Sequence, residues 1–137
     1  MKIGFAIALI IGTTIHALAQ EANQSLSTED GAYVTFIEES HDFGDIVQGD
    51  VVKYTFNFEN TGNEPLILSN VLTTCGCTAT QWPRDPIAPG KKGSIDVQFN
   101  STGKMGRQNK VVTVVSNAAN NQARVRIVSN VLPPDRN

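Results

Sequence analysis

The sequence predicts an all-β protein, an antiparallel β-sandwich of about seven strands. Three observations carry that expectation. Apolar and polar residues alternate with a period of two through most of the chain. Turn-forming residues interrupt the alternation at intervals of about eight to twelve residues. No stretch of ten residues keeps a helical period.

Taken in order, the chain opens with a targeting segment. Lys2 supplies a positive start, Ile3 to Gly12 is a short apolar run, and Ala17-Leu18-Ala19 gives the small-x-small pattern of signal peptidase. Residues 1–19 therefore read as a signal peptide cleaved before Gln20, and the protein is expected in the periplasm or secreted. A membrane anchor needs about 20 apolar residues, and Ile3 to Ile15 falls short of that. No Cys stands at the cleavage point to take a lipid, and Pro133-Pro134-Asp135-Arg136-Asn137 is polar, so no transmembrane segment is expected after cleavage. Residues 20–31 lack apolar periodicity and read as a flexible N-terminal tail. Residues 32–132 form the expected domain, and 133–137 a C-terminal tail.

Within the domain, Val52, Tyr54, Phe56 and Phe58 alternate with Lys53, Thr55, Asn57 and Glu59, as a half-buried strand requires. Ile95, Val97 and Phe99 alternate in the same way with Asp96 and Gln98, and Ala123, Val125 and Ile127 with Arg124 and Arg126. Tyr54, Phe56, Phe58, Ile95, Val97, Phe99, Val112, Val114, Val125 and Ile127 are the expected core, with Lys53, Thr55, Asp96 and Gln98 exposed. Val111 to Val115 is apolar on both faces, which predicts a central strand whose second face is also covered. Val34 to Ile37, Leu66 to Leu72 and a short strand near Thr78 to Trp82 complete the set. Phe43-Gly44-Asp45, Gln48-Gly49-Asp50, Asn60 to Pro65, Pro89-Gly90, Gly103 to Gly106 and Asn117 to Asn121 supply the turns. The long stretch from Thr73 to Gly93 suits a crossing between two sheets better than a hairpin.

Composition narrows the function classes. The net charge of −2 argues against nucleic acid as a partner, because a nucleic-acid binder shows a clustered basic excess. The charges are unevenly placed: ten acids and one base, Lys53, lie between Gln20 and Glu64, and three acids and nine bases follow from Pro65. Strands from both halves interleave in a sandwich, so opposite charges are expected side by side on solvent faces.

The ordered motifs resemble a known family. They run from His41-Asp42-Phe43-Gly44-x-Ile46-x-x-Gly49 through Tyr54-x-Phe56-x-Phe58-x-Asn60-Thr61-Gly62-x-x-Pro65-Leu66 to Cys75-Gly76-Cys77-Thr78. Trp82-Pro83, Ile87-x-Pro89-Gly90 and Ser101-Thr102-Gly103-Lys104-x-Gly106 follow. This series resembles bacterial exported domains of unknown function, common in the Bacteroidetes. Those are similar to the ASH (Hydin-type) and major-sperm-protein domains. The resemblance spans about Phe36 to Val131 and implies an immunoglobulin-like sandwich and export; it implies no particular activity.

Most of these motifs have sufficient structural readings. Phe43 beside Gly44 reads as an aromatic plug at a tight turn, Gly49 as a turn glycine, and Trp82 as a plug at one end of the sandwich, with a contact anchor as its alternative. The local feature with chemistry is Cys75-Gly76-Cys77. In an oxidising compartment the pair invites a disulfide, yet closing a three-residue loop stabilises by only about 1.5 kcal/mol. In an extended strand their Cα atoms stand roughly 6.8 Å apart, near the upper limit for such a bond, unless Gly76 bends the backbone. A disulfide locking the loop is the leading reading. A redox pair is the second, although the thioredoxin-type C-x-x-C helix start is missing. A soft-metal site is the third, with only His41 and Met105 as further donors in the mature chain, and no bond at all is the last.

The remaining residues carry no signature of catalysis. Glu38 and Glu39, adjacent on a strand, would face opposite ways and share no substrate. His41 lacks a G-x-S-x-G elbow, and Gly90-Lys91 and Gly103-Lys104 lack the glycine spacing of a phosphate loop. The expectation is a non-catalytic module, with no cofactor and no bound metal, that associates with a protein or cell-surface partner. The alternative is a thiol redox or soft-metal-handling protein centred on Cys75 and Cys77.

Overall fold

The computed structural model describes Gly4 and residues 30–135, so all of the expected signal peptide but Gly4, and nearly all of the expected tail, lie outside the described residues. Eight strands follow one another: β1 (Val34–Phe36), β2 (Ser40–Val47), β3 (Val51–Asn60), β4 (Leu68–Thr73), β5 (Cys77–Gln81), β6 (Lys92–Asn100), β7 (Gly106–Ser116) and β8 (Gln122–Leu132). They form two four-stranded sheets, ordered β1-β3-β6-β5 and β2-β8-β7-β4. The described residues contain no helix. The protein is an all-β, immunoglobulin-like sandwich.

The period of two explains the core. β3 and β6 pair without a register shift from Val51↔Asn100 to Glu59↔Lys92, so Phe56 stands opposite Ile95 and Tyr54 opposite Val97. From the other sheet, Val112 and Val114 of β7 and Val125 and Ile127 of β8 meet them, and all of these except Tyr54 are buried. Tyr54 is half-buried: its ring stacks on His41 at 3.6 Å, and its hydroxyl donates to the Glu38 carboxylate at the surface. That hydrogen bond raises the Tyr54 pKa above the ordinary tyrosine value. Asp96 and Gln98, expected exposed, are half-buried because β6 lies inside its sheet between β3 and β5. Thr55 Oγ1 closes part of that surface by donating to Asp96 Oδ1 at 2.8 Å.

One edge of the sandwich is built by a segment that changes sheets. β1 pairs antiparallel with the end of β3, and Ile37 N–H adds a last bond to Asn57 O at 2.9 Å. Glu38 and Glu39 then cross over, so they lie in a connection and not on a strand as expected. β2 joins the other sheet, pairing parallel with β8. The sequence predicts a turn at Phe43-Gly44-Asp45; the structure has a bulged strand there instead. The register shifts between Asp42 and Asp45, Gly44 takes φ 70°, and its N–H bonds Asp42 Oδ1 at 2.8 Å. A glycine in the left-handed region is what such a bulge needs. The bulge leaves His41, Phe43 and Ile46 facing inward, with Phe43 edge-on to His41 at 4.6 Å.

Two buried polar residues hold the loops. Asn60 is fully buried; its amide donates to Glu64 O (2.7 Å) and Ile87 O (2.9 Å), and its Oδ1 accepts from Gly62 N–H (3.1 Å) and Tyr33 N–H (3.3 Å). Ser101, equally buried, accepts from Gly49 N–H and faces Val47 O and Asp50 O within 3.0 Å. It thereby fastens the β2–β3 turn, where Gly49 takes the expected positive φ.

Candidate functional site

Cys75 and Cys77 lie where the chain passes from one sheet to the other. Thr74 to Cys77 is a tight turn closed by Cys77 N–H to Thr74 O at 3.1 Å. Gly76 occupies its third position with φ 90°, a conformation that costs a side-chain-bearing residue energy. The turn is tied to both sheets. Thr74 N–H bonds Val111 O of β7 at 3.2 Å, and Asn100 N–H of β6 bonds Gly76 O at 2.9 Å. Thr73 Oγ1 also donates to Cys77 O at 2.8 Å. Backbone at Gly76 runs so close to β6 that a Cβ there would stand 3.1 Å from the Phe99 ring and 3.1 Å from the Lys104 side chain.

This geometry separates the two thiols chemically. Cys75 sits at the exposed apex of the turn; Cys77 opens β5 and points into the core opposite Phe99. Both are free thiols in this structure. Burial pushes the Cys77 thiol up to about 11, against the pull of the Lys110 and Lys104 ammonium groups. A thiol that holds its proton so firmly is a weak nucleophile and a weak metal ligand at neutral pH. His41 does not join the pair, and no group of three or more His, Cys, Asp or Glu residues with metal-holding geometry occurs among the described residues.

Trp82 is half-buried against the core with the Arg84 guanidinium 3.5 Å over its ring. Its apolar face is covered and its outer face is occupied by a cation.

The outer faces of the two sheets differ. That of β1-β3-β6-β5 presents Lys53, Thr55, Asn57, Glu59, Ser94, Asp96 and Gln98, as a solvated surface should. That of β2-β8-β7-β4 presents Val111 and Val115 of β7 and Val128 of β8, all three half-buried, and Leu72 of β4, 51% exposed. Arg124 and Arg126 stand among them, opposite Thr113 and Val111 in the β7–β8 register, and both are exposed. Arg126, Arg124 and Val111 line a groove with Glu39 and Ser40. Arg107 at the far end pairs with Asp42 at 3.8 Å, where both side chains are solvated. The sequence signalled this face through the double-sided run Val111 to Val115. The cover expected over it is not supplied by any described residue.

Comparison with known proteins agrees with the geometry. A protein of unknown function from Porphyromonas gingivalis W83 is similar over 80% of this chain and 51% of its own, at 18% identity and a TM-score of 0.63. The secreted serine protease VesC of Vibrio cholerae is similar over 83% of this chain but only 26% of its own, at 14% identity and a TM-score of 0.59. The ASH/PapD-like domain 7 of human CEP192 is similar over 74% of this chain and 87% of its own, at 11% identity and a TM-score of 0.55. This chain thus spans about half of the first protein and a quarter of the second; these likenesses are of fold. No functionally curated protein matches the sequence. Residues 34–131, from the first strand to the end of the last, match the family described as "Protein of unknown function (DUF1573)", and the chain belongs to that family.

Proposed function

We propose that the protein is an exported, non-catalytic immunoglobulin-like module that holds a partner protein on the outer face of its β2-β8-β7-β4 sheet. The observation that carries this reading is the aliphatic surface of Val111, Val115, Val128 and Leu72 around two exposed arginines. Solvent-facing strand positions are ordinarily polar, and an apolar patch rimmed by charge is the form of a contact surface. Arginine is the cation most favoured at such contacts, because its planar fork engages carboxylates bidentately. The fitting partner therefore brings an apolar surface with carboxylates opposite Arg124 and Arg126.

Within this reading the chain is processed before Gln20 and acts in the periplasm or outside the cell. Cys75 and Cys77 then close into a local lock on the β4–β5 turn. Intact mass of the exported protein decides the first point, and counting thiols with and without reductant decides the second.

The binding face is tested by placing a photo-crosslinking residue at Val111 and, separately, at the exposed Thr78 on β5 of the opposite sheet, in the full chain in its producing cells. We expect a discrete adduct from position 111 that disappears when Arg124 and Arg126 are both replaced by Glu. Equal adducts from both faces, or an adduct indifferent to charge reversal, would overturn the proposal.

A further inference from the structure

β1 covers only Phe58–Asn60 of β3, with one further bond at Asn57. The remainder of that edge is open. Even-numbered residues of β3 turn their backbone groups toward β6, as the bonds from Asn60 N–H to Lys91 O and from Gly90 N–H to Asn60 O establish. Odd-numbered residues turn the other way, as the bonds from Thr61 N–H to Tyr33 O and from Ile37 N–H to Asn57 O establish. Val51, Lys53 and Thr55 therefore present three N–H and three C=O groups along an edge that the chain has already left for the other sheet. All three residues are exposed, Val51 at 48%.

This stretch differs from the edges of β2, β4 and β5; β1, which is also regular, is only three residues long. β2 is bulged between Asp42 and Asp45, β4 between Leu68 and Asn70, and β5 between Ala79 and Gln81. Bulges twist an edge away from intruding strands. β3 stays in regular register along its whole pairing with β6, so its open portion is an undistorted template for one more strand.

We infer that this edge accepts an extended segment of a partner protein, running antiparallel to β3 in line with β1 and placing a carboxylate opposite Lys53. The site lies on the sheet opposite the aliphatic face and goes beyond the binding role assigned to that face. Charge selects the occupant. Lys53 is the one base between Gln20 and Glu64 and stands at the centre of the open stretch. The two-fold register that would use Val51, Lys53 and Thr55 of a second copy, without displacing Ile37, sets Lys53 against Lys53, a like-charge pair that is unfavourable. An acid on a different chain turns the same position into an attraction. Alternation then points the segment's neighbouring side chains toward Val52 and Tyr54, so these are apolar.

The test uses the mature protein and two capped synthetic peptides, Thr-Thr-Val-Asp-Val-Thr-Thr and the same sequence with Lys in place of Asp. Amide exchange followed by NMR should find Val51, Lys53 and Thr55 fast in the free protein, and Val52 and Tyr54 slow. The acidic peptide should slow those three amides. The basic peptide should bind about fivefold more weakly, the effect of exchanging an attractive for a repulsive cross-strand pair. Lys53→Glu, at an exposed site, should reverse the preference. Thr55→Pro should abolish binding while keeping the fold, since proline is tolerated on an edge whose N–H is unbonded. Slow exchange of the three amides in the free protein would overturn the inference. So would their staying fast at millimolar acidic peptide, or equal binding of the two peptides. Protection that rises with protein concentration alone would assign the edge to a second copy and overturn it equally.

Discussion

Asn60→Ala should destabilise the domain more than any substitution at an exposed polar position, by about 3–4 kcal/mol. Asn60 has no solvent exposure and joins three segments: the approach to β1 at Tyr33, the turn from Gly62 to Glu64, and Ile87. Truncation strands the enclosed Gly62 N–H, at about 1–3 kcal/mol for an unsatisfied buried donor. Three further bonds are lost, two of them partly open to water, at roughly 0.5–1.5 kcal/mol each. Ile87 O keeps one partner, Leu66 N–H at 2.8 Å, which limits the loss there. Against a typical domain stability of about 5–15 kcal/mol the effect is large. Urea titration followed by circular dichroism measures it, with an unchanged m-value separating a true stability loss from an altered unfolded state. Asn57→Ala, exposed on the same strand, is the control and should change stability by less than about 0.5 kcal/mol. A loss below about 1 kcal/mol for Asn60→Ala would refute the view that this amide holds the lower loops together.

Phe56→Ala empties a fully buried site opposite Ile95 and should cost about 3–5 kcal/mol in the same titration; a loss under about 1 kcal/mol would contradict the register. Gly76→Ala forces a side chain into φ 90° against Phe99 and should cost about 1–3 kcal/mol by thermal melting. Replacing Cys75 and Cys77 together by Ser should lower stability by less than about 2 kcal/mol and leave a cooperative β-rich transition; complete unfolding would point to a structural metal. In the reduced protein, Cys75 should be alkylated at pH 8 while Cys77 lags until the pH nears 11. The folded Cys77 pKa lies above the ordinary value of 9.0, so its contribution to stability is complete below about 9. That contribution should be lost as the pH rises toward 11, visible as a falling urea midpoint that Cys77→Ala removes.

The strands with clean alternation were legible because each buries one face against a single core. β3 and β6 keep their predicted alternation, with Tyr54, Asp96 and Gln98 half-buried, and even the short β1 and β5 lie close to where their residues suggest. β2 was not legible. Gly44 interrupts its alternation, and the inward Phe43 reads as a plug when the bulge that aims it is unknown. Its parallel partner β8 lies at the other end of the chain, a pairing that local pattern does not encode. At the turn, spacing brought out Cys75 and Cys77 as a pair but not their inequality. That inequality arises because β5 begins at Cys77 and sends only that thiol inward. The double-sided run Val111 to Val115 carried a correct signal with the wrong implication: a central strand whose second face is apolar, left open by the described residues.

The parallel pairing of β2 with β8 has a mechanical consequence. The chain enters the domain beside the β7–β8 turn, where Ala119 N–H bonds Ala32 O, and β8 ends at the opposite pole, where Gln48 N–H bonds Leu132 O. The eleven residues of β8 separate those poles by roughly 35 Å at about 3.3 Å per residue. Tension between the two ends draws β2 and β8 lengthwise past each other. Their hydrogen bonds, registered from Ser40↔Arg126 to Val47↔Leu132, then share the load together and are not opened one by one. Pulled from its two ends, the domain therefore resists along its long axis in shear.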